Sequence, residues 1–180
     1  MKAGKWISGF AWILLMVSAS RHAASEQAAD AGQPAPPQLK FVFEELVTLD
    51  ADVHVGETPM GKRNIVPITG GTFYGPGLKG RILPGGWDWQ LLNASGCSSI
   101  SADYMIETDD GVIIHVVNGG TLCPNSQGTK ETRLTTPVFE APKGKYDWLN
   151  GGAYVGTLAG ATVDGKRAVK IQYFKAYPHS

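Results

Sequence analysis

From residue 39 onward the apolar side chains fall mostly at every second position, and turn dipeptides interrupt them at short intervals. That pattern admits strands and excludes an amphipathic helix, whose apolar positions recur every third or fourth residue. Phe41 and Phe43 alternate with Lys40, Val42 and Glu44; near the far end Val169, Ile171 and Tyr173 alternate with Lys170 and Gln172. Between them the pattern predicts strands at 53–57, 64–69, 71–74, 78–83, 87–93, 99–108, 112–118, 131–140 and 154–163. Asp110-Gly111 and Asp164-Gly165 read as two-residue hairpin turns whose central positions both take positive φ. Gly75-Pro76, Pro84-Gly85-Gly86 and Gly151-Gly152 supply further punctuation. The only helical element expected is a short turn at 146–150.

About ten short strands in one domain must dispose of their edges. A two-layer sandwich hides edges, whereas closure removes them, so the expected fold is all-β, a closed or nearly closed antiparallel β-barrel. An outer-membrane pore is excluded because several strands carry charge that breaks an apolar outer face, Lys79 and Arg81 on one face of their strand and Lys166, Arg167 and Lys170 across both faces of theirs.

Residues 1–24 read as a secretory signal peptide. Lys2 and Lys5 precede the apolar run from Trp6 to Val17, and small residues follow at Val17-Ser18-Ala19 and His22-Ala23-Ala24, which puts cleavage near 19–24. A retained membrane anchor is the alternative, but the run is short against the ~20 residues that a span needs. Residues 25–38 form a polar Ala/Pro/Gln tether expected to be disordered, and 39–177 the single barrel domain. The protein is therefore expected in the periplasm or secreted, without stable membrane insertion after cleavage. Export permits a disulfide between Cys97 and Cys123, which lie symmetrically about the Asp110-Gly111 turn. Such a bridge would add about 3 kcal/mol; two buried free thiols are the alternative.

Sixteen basic residues balance sixteen acidic ones, so no field draws in nucleic acid. The four histidines are scattered, with neither an i, i+4 pair nor C-x-x-C, and no metal site is expected. His115, within Ile113-Ile114-His115-Val116-Val117, reads as a satisfied core histidine. Gly75-Pro76-Gly77-Leu78-Lys79-Gly80 matches G-x-G-x-x-G, but a strand follows where a dinucleotide site requires a helix N-terminus. No G-x-S-x-G elbow is present.

More informative is Gly85-Gly86-Trp87-Asp88-Trp89-Gln90. Period two puts Asp88 and Gln90 on one face and the tryptophans on the other. A tight turn near Ser95-Gly96 would set Asp88 and Gln90 beside Asp103 and Glu107, with Tyr104 and Ile106 joining the tryptophans; a one-residue slip would exchange the partner faces. Turned inward, the carboxylates form an acid–base cluster, since neighbouring carboxyls in a dry cavity cannot all ionise. Turned outward, they are a solvated face over a tryptophan core.

Several phrases in order resemble one family. They are Arg63 followed by Ile65-Val66-Pro67-Ile68-Thr69-Gly70-Gly71-Thr72-Phe73, the 75–80 glycines, and Leu83-Pro84-Gly85-Gly86-Trp87-Asp88-Trp89-Gln90. Then come Ala102-Asp103-Tyr104, Glu107-Thr108-Asp109-Asp110-Gly111, Asn118-Gly119 and Tyr146-Asp147-Trp148-Leu149-Asn150. The set is similar to the domain of unknown function 3237 family (uncharacterised protein family 0311) from Leu39 to about Tyr177. Trp87 departs from it where a small residue is expected, and a bulky ring there would reshape the cavity or mark a subgroup. The leader departs from the many members that look cytosolic. The resemblance implies a barrel of roughly ten strands that is lipocalin-like in having a central cavity, and it implies no single reaction. Members look like cofactor-independent proteins of small-molecule pathways.

The resemblance marks Arg63, Asp88, Gln90, Tyr104, Glu107, Asn118, Trp148 and Asn150. The expected protein is an exported small-molecule-binding barrel, a cofactor-independent acid–base enzyme of lyase, isomerase or cyclase type acting on an aromatic or hydrophobic metabolite. Asp88 or Glu107 would be the acid or base, and Arg63 and Tyr104 would stabilise negative charge on a carbonyl or phenolate oxygen. Trp89 and Trp148 would supply apolar walls, with Gln90, Asn118 and Asn150 as further ligand contacts. Asp88 has a structural alternative as acceptor for the Gly85-Gly86 amides. The second reading is a non-catalytic periplasmic carrier of a hydrophobic ligand, and a third a protein that pairs its surface strands with another chain; a homo-oligomer stays open.

Overall fold

A computed structural model describes residues 35–124 and 133–179. The leader and most of the tether lie outside the described residues, as does the start of the strand expected at 131–140. The described residues form ten strands: β1 (Gln38–Leu49), β2 (Val53–Thr58), β3 (Gly61–Gly75), β4 (Leu78–Ile82), β5 (Gly86–Leu92), β6 (Ser98–Thr108), β7 (Ile113–Leu122), β8 (Arg133–Glu140), β9 (Tyr154–Val163) and β10 (Lys166–Tyr177). All pairings are antiparallel, and β1 closes the sheet by pairing with both β10 and β3.

Ten strands make eight staves. β4 and β5 run end to end between β3 and β6, β4 on residues 71–75 of β3 and β5 on residues 62–68. On the other flank of β3, β1 and β2 share a stave in the same way. β3 is therefore one continuous strand where the sequence suggested two. Gly70 and Gly71 hold φ of +136° and +140° inside it, which bends the strand without ending it. A side chain at Gly71 would meet the Leu46 carbonyl at 2.1 Å, so the close β1–β3 seam also requires glycine there.

The two hairpin dipeptides behave differently. Asp164 and Gly165 both take positive φ (47° and 74°), the expected two-residue turn. At Asp110-Gly111 only the glycine does, and Thr108 N donates to Val112 O at 2.9 Å around a three-residue loop. That odd loop sets the β6–β7 register, in which Ser98 faces Leu122. The next pair outward is Cys97 and Cys123, which form a disulfide with Cα atoms 4.2 Å apart.

The barrel is filled at one end and open at the other. Phe43, Phe73, Phe139, Tyr154 and Tyr173 pack as edge-to-face or tilted ring pairs with centroids 4.9–5.7 Å apart. A 3-10 turn, Asp147–Asn150, buries Leu149 beneath this end. Tyr146 Oη donates to Asp110 Oδ1 at 2.8 Å, tying the turn to the β6–β7 hairpin. The opposite end, where β1, β5, β7 and β9 finish, opens into a cavity.

Candidate functional site

The cavity has a volume of about 470 Å³, within the size range of sites for small organic molecules. Its walls are mainly apolar, with Val47, Val66, Ile68, Ile100, Leu158 and Ile171 contributing. Asp88, Gln90, Tyr104 and Asn118 interrupt that lining, and Asp52, Arg133 and Arg167 line it too.

The phase of β5 decides this lining. Gly86 is buried on the inward face, where an added Cβ would come within 2.5 Å of Tyr104 Cβ. No side chain fits at that position, so the strand presents 86, 88 and 90 inward and 87 and 89 outward. Trp87 and Trp89 are accordingly 42% and 46% exposed on the outer wall. The solvated-carboxylate alternative is overturned for Asp88. Trp87, the departure from the family pattern, does not line the cavity, because its ring lies on the outer wall.

Which β6 residues join Asp88 depends on the connecting loop. Five residues separate β5 from β6, and Asn93 organises them: its Oδ1 accepts from Ser95 N and Cys97 N, and its backbone amide donates to Cys97 O. The resulting register pairs Asp88 with Ala102 and Trp87 with Asp103. It is offset by one residue from the two-residue-turn expectation, so the partner faces exchange. Tyr104 comes inward beside Asp88. Glu107 goes outward and binds Arg81 at 2.5 Å.

Other residues marked in the sequence also stand away from the cavity. Arg63 lies on the outward face of β3, opposite Leu91. Trp148 is at the surface, with the Lys175 ammonium 5.6 Å from its ring centroid. Asn150 is structural. Its side-chain amide exchanges hydrogen bonds with the backbone of Ala141 at 2.7 and 2.9 Å, fastening the 3-10 turn to the end of β8. His115 is not in the core. It sits on the outer face between Asp103 (2.7 Å) and Glu140 (3.4 Å), and the Asp103 hydrogen bond raises its pKa despite some burial.

Asp88 accepts a 2.7 Å hydrogen bond from Gln90 Nε2 through Oδ2, while its Oδ1 is buried without a partner. Burial raises its pKa, against the opposing pull of Gln90 and the Ser101 amide. The Gly85-Gly86 amides are not its donors: Gly85 N binds Ile68 O instead. Gln90 Oε1 in turn accepts from Asn64 Nδ2 (3.2 Å), which also donates to Asp52 Oδ2 (2.8 Å). Burial pushes the Asp52 carboxyl up, but hydrogen bonds from Arg167 and Asn64 outweigh it and hold the pKa low. A polar chain thus links Asp88 to Arg167 along the wall. Across the row, Asn118 is 1% exposed and its Oδ1 also lacks a partner.

Below lies a group that the sequence pattern did not single out. Glu45 is fully buried, and Tyr104 Oη donates to its Oε2 at 2.5 Å. Tyr173 Oη lies 2.9 Å from Tyr104 Oη and 3.3 Å from the same carboxyl oxygen. Burial raises the Glu45 pKa to about 7, with the two tyrosine hydrogen bonds acting the other way. Burial also pushes both phenols well above their ordinary range. A signal was available: Phe43, Val47 and Leu49 at alternate positions put Glu45 in the inward phase. Among the described residues, no group of three or more His, Cys, Asp or Glu side chains is arranged to hold a metal ion.

The family model described as protein of unknown function DUF3237 matches residues 37–176, most of the chain, from the start of β1 to the penultimate residue of β10. The chain belongs to this family. Among curated relatives, a UPF0311 protein of Bradyrhizobium diazoefficiens is 32% identical over 67% of this chain and 86% of its own length. A hydroalkoxylation enzyme of Penicillium herquei is 27% identical over 66% of this chain and 72% of its own. Among solved structures, a β-barrel-like protein of Acinetobacter baumannii superposes with a TM-score of 0.70 at 34% identity. That match covers 81% of this chain and 99% of the other.

Proposed function

We propose that this protein is an exported enzyme that binds a hydrophobic, hydroxyl-bearing small molecule in the barrel and moves protons on it without a cofactor. Asp88 is the general base and Tyr104 the donor that faces developing negative charge. The observation that carries the reading is the environment of Asp88: a carboxylate in an apolar-walled cavity, its pKa raised by burial and one oxygen lacking a donor. A group so placed gains from a substrate hydroxyl, both as a hydrogen-bond donor and as a source of the proton that neutralises it.

The relative from Penicillium herquei supports the class of chemistry. Hydroalkoxylation adds an O–H across a carbon–carbon double bond: one proton leaves oxygen, one arrives on carbon, and no redox partner takes part. Such a step requires a positioned base and a positioned acid, and little else. Export is supported by the leader pattern ahead of the barrel and by the Cys97–Cys123 disulfide, which suits the periplasm or the exterior.

Native mass spectrometry of the protein purified from its own host would identify the bound molecule. Turnover of that molecule by Asp88→Asn is the deciding measurement. Unchanged turnover in a folded variant removes Asp88 from the chemistry, whereas a bound molecule that the wild type releases unaltered leaves the second reading, a carrier of hydrophobic ligands, which the mainly apolar walls favour.

A further inference from the structure

Among the described residues Glu45 is the one carboxylate with no exposure at all, and the surroundings that bury it are uniform. Its register partners are Phe73 on β3 and Ile171 on β10, and Val47 follows it on the inward face of β1. The polar groups that face it are the hydroxyls of Tyr104 on β6 and Tyr173 on β10. Burial and these two hydroxyls account for its protonation behaviour, with no contribution from a cation among the described residues. An ionised carboxylate in such a place lacks the partner that buried charge requires, and its Oε1 would be left with no donor.

The two protonation states of Glu45 impose different roles on Tyr104. An ionised Oε2 can only accept, so the Tyr104 proton must point at Glu45, and the face that Tyr104 turns to the cavity has no proton to give. A protonated Oε2 reverses the 2.5 Å bond: the carboxyl donates to the phenol oxygen, and the Tyr104 proton is released to turn elsewhere. Tyr173, 2.9 Å from the same phenol oxygen, can settle as donor or acceptor in either state.

We propose that Glu45 is carried neutral in the folded barrel and acts through Tyr104, making that hydroxyl the proton donor to a molecule in the cavity. This rests on the acid–base reading of the cavity and supplies its acid half. In the reaction, Asp88 takes the proton from a substrate hydroxyl as the oxygen bonds to carbon. The neighbouring carbon takes the Tyr104 proton, and Tyr104 takes the Glu45 proton. The substrate ends with its atoms unchanged in number, and the enzyme with Asp88 protonated and Glu45 ionised. Proton exchange with solvent restores both groups. Glu45 is thus a positioning residue behind Tyr104 and does not itself touch the substrate.

Two measurements on the full chain test this without a known substrate. Infrared difference spectra taken from about pH 5 to about pH 9 should contain a protonated-carboxyl stretch that outlasts ordinary carboxyl groups and disappears through about pH 7. It should be absent in Glu45→Gln and retained in Tyr173→Phe. Calorimetric binding of 2-acetylnaphthalene, a neutral ketone that only accepts hydrogen bonds, should be about tenfold tighter at the acid end than at the alkaline end. That dependence should vanish in Glu45→Gln and Tyr104→Phe and persist in Asp88→Asn, which controls for the other titrating group in the wall.

A carboxyl band that is lost with ordinary carboxylates, pH-independent binding, or no binding of the ketone at all would each overturn the proposal. The acid–base reading fails separately. If the band and the pH-gated binding are present but Asp88→Asn turns over substrate normally, the Glu45–Tyr104 switch stands and the base assignment does not.

Discussion

Asp88 and Asn118 lie two strands apart on a single inward row of the barrel, in register through Ala102. Each brings one buried acceptor oxygen with no donor, and the residue between them is too small to supply anything. Such a pair costs stability in the empty protein and favours a ligand that brings hydroxyl protons.

That cost predicts the effect of Asp88→Asn on stability. Burial raises the Asp88 pKa above its unfolded value. Its contribution to stability is therefore complete below the unfolded pKa of about 3.9 and declines as the pH rises through the folded value. Above the folded value the ionised side chain destabilises the fold, and the amide relieves this. Thermal denaturation should show a melting point raised by about 2–4 °C, corresponding to about 1 kcal/mol. Turnover should fall by about 100-fold or more. A lower melting point would show that the carboxylate is better satisfied than the geometry indicates.

Glu45 follows the same sign with a larger amplitude. Its folded pKa of about 7 stands above the ordinary 4.5. The associated stability is full below pH 4.5, falls as the pH passes through about 7, and amounts to at most about 3.5 kcal/mol. Urea midpoints should therefore drop between about pH 5 and about pH 9 in the wild type, and drop distinctly less in Glu45→Gln. Parallel pH curves for the two proteins would mean that Glu45 does not titrate in this range.

The disulfide spans 26 residues of chain, the β6–β7 hairpin. Replacing both cysteines by serine should cost about 3 kcal/mol and lower the melting point by roughly 6–12 °C. Because the bridge ties strand ends at the mouth, the aromatic floor should keep its near-ultraviolet circular dichroism below the transition.

Glycines at strand crossings and in open strands should respond in opposite ways. A Cβ at Gly80 would fall 2.0 Å from the Glu107 carbonyl and 2.8 Å from the Phe73 ring, so Gly80→Ala should cost more than about 3 kcal/mol or prevent folding. Nothing lies within 4 Å of a Cβ at Gly160, and Gly160→Ala should be neutral or slightly stabilising. Equal soluble yields and melting points would contradict the β4–β6 crossing as described.

The residues that proved legible share one property: their placement follows from phase alone. Alternation along each strand separated Asp88 and Gln90 from Trp87 and Trp89, and the turn residues located most strand ends. Glu45 obeys the same rule, but Glu44 beside it continues the alternation that starts at Lys40 and masks the inward carboxylate of β1. Whether Glu107 or Tyr104 shares the Asp88 face could not follow from phase, since it depends on whether the β5–β6 loop has an even or odd number of residues. Of the marked residues that stand away from the cavity, Asn150 has the clearest structural role, its clasp on the Ala141 backbone.

The sequence by itself determined that this chain is built of antiparallel strands, where most of them turn, and which side chains alternate, because those depend on interactions between near neighbours. Only the tertiary structure decided which face of each strand is the inside and which polar groups meet there. Inward and outward are set by contacts between distant strands: Gly86 pressed against Tyr104, Gly71 against Leu46, and the offset that brings Tyr104 of β6 onto Glu45 of β1. No local pattern encodes that meeting, since the two residues are 59 positions apart and acquire their chemistry from each other.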